Sequence, residues 1–392
     1  MAEEVIRIAA RGDGVTASGR HVRFGVPGDA LLDDGALAPG PHHQEPPCRH
    51  FPECGGCQLQ HADDEAYRFY LVSRLETGLA QHGLSAEIRE PHLSPPNSRR
   101  RATLRALKVG QGAVLGFNAE KSHRIVDMRE CHILRPELFA LVEPVRRLLG
   151  DLLAPRQPAE VHMALVDQGA DLLLKGVGAP GLQQVERLVA FATASGIGRL
   201  SIDQGFGPET LYEPQPATIS LAGVRVSFPT GGFLQATADG EAALIGAVRD
   251  ATAGAERIAD LFAGLGTFAL AVRASYAAEA WRDAAAALKS AAPAMAVEHR
   301  DLYRRPLDAK ELGAFDAVVL DPPRAGAAEQ VAALSASPVP RIAYVSCNPA
   351  TFARDAKTLV GGGYELDWVR PVGQFRWSTH VELAGCFSRS RR

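Results

Sequence analysis

Arg257-Ile258-Ala259-Asp260-Leu261-Phe262-Ala263-Gly264-Leu265-Gly266-Thr267 is the stretch on which the architecture turns. A short apolar run, residues 257–262, reads as a strand, and the two glycines that follow open an apolar helix expected to reach about Ala274. Glycine lets backbone come close to a ligand where a helix begins. Outward from this turn the pattern repeats. Residues 276–280 read as a second strand, 281–291 as a helix, and 295–299, 315–320 and Arg341–Ser346 as further strands. Strands alternating with helices predict a doubly wound, Rossmann-like α/β domain whose ligands bind beyond the carboxyl ends of the strands. That domain is expected to cover residues 231–392.

Upstream the texture differs. Residues 1–40 carry short alternating runs broken by Gly and Asp, which predicts a small β-barrel. Residues 41–230 are expected to form a central α+β domain. It starts with a Pro- and Gly-rich linker at 39–47 and continues with a helix in which Tyr67, Leu71, Leu75 and Leu79 share one face, capped by Asp63 or Asp64 and ending near Gly83. Between Asn97 and Glu130, eight basic residues stand against three acidic ones, around a hairpin turn at Gly110-Gln111-Gly112. Such a run is either a solvated face or a polyanion-binding surface.

The chain of 392 residues is 46% hydrophobic and 22% charged, with a formal charge of −3. This excludes a uniformly basic nucleic-acid coat. No run of eighteen uncharged apolar residues exists, so no membrane span is expected. The acidic start Met1-Ala2-Glu3-Glu4 lacks a signal-peptide core, so a cytoplasmic protein is expected. Nothing points to an obligate protein partner, and a monomer is the expectation.

Three of the six cysteines fall together, as Cys48-x5-Cys54-x2-Cys57, and Cys131 stands apart. Thiolates on a Gly-containing loop can converge on one centre that a distant fourth closes. Zinc or an iron–sulfur cluster would suit four such ligands. A single Cys-x2-Cys knuckle leans towards a cluster, and His50, His61 and His132 are alternative ligands.

Asp260-x-Phe262-x-Gly264-x-Gly266 lacks the third glycine of a dinucleotide fingerprint and matches the form used by class I S-adenosylmethionine (SAM) methyltransferases. Asp321-Pro322-Pro323-Arg324 ends the fourth strand as a rigid extended loop, and Ser346-Cys347-Asn348-Pro349 ends the fifth. Asp321 and Cys347 should therefore face one crevice. Cys386, between Gly385 and Phe387, reads as a core thiol, which leaves Cys347 as the nucleophile candidate. A thiol is useful to a methyltransferase when the target is carbon 5 of a pyrimidine. Thiolate addition at carbon 6 makes carbon 5 nucleophilic, and a base must then remove its proton. Glu382 is the candidate base, with His380 on the same face of a predicted strand.

Taken in order, these motifs resemble the SAM-dependent RNA uracil-5-methyltransferases, specifically their iron–sulfur-containing 23S ribosomal RNA branch. Gly231-Gly232-Phe233-Leu234-Gln235 and the terminal His380-x-Glu382 complete the likeness, which covers nearly the whole chain. The resemblance implies a short TRAM-like barrel at residues 1–40 and a 4Fe–4S cluster on Cys48, Cys54, Cys57 and Cys131. It implies Cys347 as nucleophile, Glu382 as proton acceptor, and SAM contacts from Gln235, Phe262, Thr267, Asp301 and Asp321. Glu279 is the expected ligand of the SAM ribose, with Asp283 the alternative. The substrate implied is ribosomal RNA. A transfer-RNA enzyme, or an inactive RNA-binding assembly factor, is the competing reading.

Overall fold

A computed structural model of the chain describes residues 2–178 and 181–389. The glycine-bearing turn sits in the middle of a nine-stranded sheet. From one edge the order is Ala296–His299, Tyr276–Glu279, Ile258–Leu261, Ala317–Leu320, Arg341–Ser346, Glu382–Ser388 and Glu365–Gly373. The first five strands run parallel, and Glu382–Ser388 runs antiparallel to both of its neighbours. Chain order reverses beside Ile258–Leu261, which opens a crevice at the carboxyl ends. Strands covered on both faces must be apolar throughout. Ile258–Leu261 and Ala317–Leu320 are accordingly buried at every position.

The helix after the glycine turn is shorter than expected, Thr267–Ala271, because the chain turns back through Arg273 in a left-handed conformation (φ 53°). Asp260, fully buried, accepts from Ala269 N at 2.7 Å and so ties the strand to that helix.

The stretch assigned from sequence to the central unit does not stay by itself. Glu87–Ile88 and His92–Leu93 pair in parallel with Glu365–Gly373 and extend the catalytic sheet. The Asp64–Ala80 helix, whose N-cap Asp63 accepts from Ala66 N, buries Tyr67, Tyr70, Leu71, Leu75 and Leu79. These side chains join one core with Tyr344, Phe352 and Leu359 of the catalytic domain. Tyr67 Oη donates to the carbonyls of Phe375 and Ser378, at 3.0 and 3.1 Å.

The rest of the central region is a six-stranded sheet that includes the Arg101–Val109/Gly112–Gly116 hairpin, turning at the expected glycines. The Val142–Leu152 and Leu182–Ala194 helices pack on it, sharing one hydrophobic core. A buried Arg199–Asp171 pair, bonded at 2.7 and 3.0 Å, lies within this sheet. The N-terminal segment forms a five-stranded sheet whose own core is only Val5, Val22 and Leu31, with Leu37 at its edge. Among the described residues no helix is long and apolar enough to cross a membrane.

Candidate active site

A cleft of about 930 Å³ lies where the strands of the catalytic sheet end, roofed by the central sheet and the N-terminal segment. Phe262, Gly264 and Thr267 of the glycine turn form one wall. Two backbone features shape that turn. Gly266 has φ +93°, a conformation that favours glycine, and a Cβ there would stand 2.4 Å from Leu288 Cδ1, which would have to move. Phe262 also adopts positive φ (65°), a strained conformation for a bulky residue, and its ring packs on Tyr303 at 5.6 Å.

Glu279 lines the cleft at the end of its strand. Its carboxylate accepts from Gly264 N at 2.8 Å and from Trp281 N at 2.7 Å. Asp283 lies instead in the first turn of the Arg282–Ala291 helix and does not line the cleft. Asp301 lies on the next loop and accepts from Tyr303 N. Asp321 stands at the end of Ala317–Leu320, and Gln235 Nε2 donates to it at 3.4 Å. Burial, then the nearby Glu279 carboxylate, push the Asp321 carboxyl up to about 7.

Cys347 and Glu382 face the same space from adjacent strands. Burial, followed by the Glu382 and Asp321 charges, pushes the Cys347 thiol up to about 11. Glu382 is 7% exposed, and burial together with Asp321 raises its carboxyl to about 8, against the pull of Arg101 and of a Gln374 hydrogen bond. A carboxyl held near neutrality suits a proton acceptor. The strand expected to carry both His380 and Glu382 begins only at Glu382. His380 lies in the preceding loop, its ring 5.6 Å from that of Phe375, yet still lines the cleft. Cys386 is buried in the core, its Sγ 3.5 Å from Asp367.

The basic run from Asn97 to Glu130 divides. Arg100 pairs with Glu241, Arg105 with Glu160, Arg124 with Glu53, and Arg129 with Asp127 and Glu143, so these charges are neutralised within the protein. Arg99 and Arg101 line the cleft, as does Arg11 of the N-terminal segment, whereas Lys121, also on its wall, is paired with Glu120 at 3.1 Å. The Arg101 guanidinium lies 4.3 Å over the Phe233 ring, and that of Arg99 lies between Phe375 and Phe117 at 5.2 and 5.8 Å. Sequence reasoning singled out neither arginine, because only tertiary structure separates them from their paired neighbours. It also missed Gln374, which no motif marks.

Cys48, Cys54, Cys57 and Cys131 line a second, smaller cavity beside the first. Among the described residues no group of three or more His, Cys, Asp or Glu is arranged to hold a single metal ion. His50 and His132 lie on the cavity wall, whereas His61 is buried among the rings of Phe24, Phe51 and His43. The cysteine loop also reaches the catalytic domain. Gln58 N and Leu59 N both donate to the Trp377 carbonyl, at 2.8 and 2.9 Å, and Trp377 packs with Cys57 and Ile133.

Comparison with known proteins completes the description. Residues 288–390 match the family described as tRNA (Uracil-5-)-methyltransferase. An uncharacterised RNA methyltransferase of Zymomonas mobilis is 51% identical over 99% of this chain and 100% of its own length. The 23S rRNA (uracil(1939)-C(5))-methyltransferase RlmD of Chromohalobacter salexigens is 34% identical over 88% of this chain and 76% of its own. Among solved structures, the Pyrococcus abyssi tRNA (uracil-54, C5)-methyltransferase in complex with S-adenosyl-L-homocysteine superposes with a TM-score of 0.73 at 20% identity. That match covers 99% of this chain and 100% of the other, and it establishes the class I SAM methyltransferase fold.

Proposed function

Because the chain belongs to the tRNA/rRNA uracil-5-methyltransferase family and is an RNA methyltransferase, we propose that it methylates carbon 5 of a uridine in 23S ribosomal RNA. The observation that carries the chemistry is the convergence of Cys347, Glu382 and Asp321 at neighbouring strand ends in one cleft. The ribosomal substrate is supported by the activity named for the Chromohalobacter salexigens relative.

SAM supplies the electrophilic methyl group when bound. The glycine turn fits it: the backbone at Gly264 and Gly266 comes close without side chains, and Glu279 and Asp301 offer carboxylates for ribose hydroxyls and the adenine amino group. Phe262, Thr267, Gln235 and Asp321 complete that wall. Cys347 Sγ, as thiolate, adds to carbon 6 of the flipped-out uracil, and carbon 5 then takes the methyl group. Glu382 removes the carbon-5 proton, the carbon–sulfur bond breaks, and the thiolate is restored. Burial first, then the Glu382 and Asp321 charges, hold the free thiol protonated, so its proton must pass to solvent before attack, which leaves Glu382 ionised for the carbon-5 proton. Arg99, Arg101 and Arg11 give the cleft the positive charge an RNA backbone requires.

The second cavity fits a four-cysteine iron–sulfur cluster better than a single ion. Cys48, Cys54, Cys57 and Cys131 all line the cavity, with His50, Gly56, Gln60 and Ile133 on the same wall. A Cβ at Gly56 would come 3.1 Å from the Phe117 ring and 3.5 Å from Cys54 Sγ, so the cradle is kept open by glycine. Cys48, Cys54, Cys57 and Cys131 would hold the cluster, with a structural role.

The test uses anaerobically purified protein, SAM with a deuterated methyl group, and unmodified RNA separated into large-subunit, small-subunit and transfer RNA. Labelled 5-methyluridine confined to large-subunit RNA is expected. Label in transfer RNA would overturn the substrate assignment. No label in any fraction, from protein that binds SAM, would favour a catalytically silent RNA-binding protein.

A further inference from the structure

Gln374 lies in the loop that follows Glu365–Gly373 and is 2% exposed. Every polar atom of its amide is engaged. Its Oε1 accepts from Ala236 N at 2.9 Å, and its Nε2 donates to Gln235 Oε1 at 2.8 Å. Gln374 also stands two residues beyond Val372, the strand partner of Glu382, which brings the amide beside that carboxyl, where it favours the ionised form. Its position is fixed by packing as well, because a Cβ on Gly240 would stand 2.7 Å from Gln374 Cβ.

These contacts have a directional consequence. The Gln374 Oε1 is fixed as acceptor by a backbone N–H, which leaves the nitrogen to face Gln235. Gln235 must then present its oxygen to Gln374 and its own nitrogen to Asp321, as the 3.4 Å contact shows. A free glutamine amide has two orientations of nearly equal shape. Gln374 removes that ambiguity at Gln235 and stands beside the Glu382 carboxyl.

We propose that Gln374 is the positioning residue of this site: one buried amide that orients Gln235 towards the methyl donor and holds Glu382 for proton removal. The inference rests on the roles proposed above for Gln235 and Glu382. The charged and titratable groups facing Glu382 are Asp321, from the end of Ala317–Leu320, Arg101 from the central sheet, Cys347, and His380 on its own approach loop. Against these, an N–H donor favours the ionised carboxylate.

The experiment compares wild type, Q374M and Q374E. Three readouts are needed: SAM dissociation constant by calorimetry, single-turnover methylation rate against pH, and the fraction of RNA held as covalent adduct. Q374M preserves volume and removes both donor and acceptor. It is expected to weaken SAM binding about fivefold, the scale of one neutral hydrogen bond. The acid-side midpoint of the rate profile should move up by about one pH unit, because losing the donor makes Glu382 harder to ionise. Adduct should accumulate below that midpoint. Should Q374M fail to fold, Q374E keeps the acceptor for Ala236 N and is expected to move the midpoint further in the same direction, through like-charge repulsion. A rate lowered equally at all pH values, with the midpoint and SAM affinity unchanged, would overturn the proposal. E382Q separates the two levels. If E382Q traps adduct and the Gln374 variants leave the midpoint in place, only the Gln374 assignment falls. If neither wild type nor E382Q ever forms adduct, the roles on which it rests fall too.

Discussion

Cys347 and Glu382 stand opposite one another across an antiparallel strand pair. Ser346 is the last residue of its strand and pairs with Leu383, so the cysteine one step beyond meets the glutamate one step before. The proposed nucleophile and base are thereby held by backbone register rather than by loop conformation. A one-residue slip would send one of them to the other face of the sheet. Sites built on strands are held more closely than sites on loops.

Replacing Cys347 with Ala removes the proposed nucleophile and little else, since the thiol is free and only partly buried. Methylation should fall by at least three orders of magnitude, roughly the contribution of a covalent route, while SAM binding stays within about twofold. Turnover at a few per cent of wild type would remove Cys347 from the role.

Glu382→Gln keeps the shape and loses the proton acceptor. A covalent RNA–protein adduct should then build up and survive a denaturing gel. For the wild-type protein the proton-removal rate should rise with pH through about 8, the region to which burial and Asp321 move this carboxyl. A flat profile between pH 6 and 9, two test conditions spanning about 8, would point to another base.

The same shift carries a stability cost whose sign can be checked. Glu382 binds its proton more tightly folded than unfolded, so the native state is penalised once pH exceeds the ordinary carboxyl value. The penalty grows until the folded carboxyl itself ionises, near 8. E382Q should therefore melt at the same temperature as wild type in acid, and several degrees higher at alkaline pH. Equal melting temperatures at both ends would contradict the burial argument.

Gly264 and Gly266 should respond differently to alanine. Both have positive φ, but nothing stands within 4 Å of a Cβ at 264, whereas Leu288 blocks one at 266. G264A should lose about 1 kcal/mol from conformation alone. G266A should lose more and bind SAM less well, because the buried Leu288 side chain must also move. Thermal melting and calorimetry would show the contrast, and indistinguishable variants would refute it.

Trp377 reports on the cysteine loop. It packs with Cys57 and receives two hydrogen bonds on its carbonyl from Gln58 and Leu59. With Trp281 and Trp368 replaced by Phe, its emission is isolated. Cys57→Ser should shift that emission to the red. Unchanged emission would show that the loop keeps its place unaided.

The parallel strands were legible because buried strands are unbroken apolar runs punctuated by glycine and proline, and each motif lay at such an end. Glu87–Ile88 and His92–Leu93 were not, since a two-residue strand has no period to read. The basic run looked uniform in sequence, yet Arg100 meets Glu241 while Arg101 meets the Phe233 ring. Adjacent side chains on a strand point to opposite faces, and which face carries an acid is decided by partners far along the chain. His380 was placed in a strand by alternation, whereas pairing starts two residues later. Gln374 carries no signal at all, because its role exists only in its neighbours.

The interleaving of residues 64–93 with the C-terminal third has a consequence for synthesis. Tyr67, Tyr70 and Leu71 emerge from the ribosome early, but Tyr344, Phe352 and Leu359, their core partners, emerge nearly three hundred residues afterwards. The sheet edge that receives Glu87–Ile88 is made later still. Until then an aromatic helix face waits uncovered, which is the condition under which nascent chains need chaperone protection. Catalytic competence thus arrives in a single late event, when the tail closes over a surface laid down at the beginning.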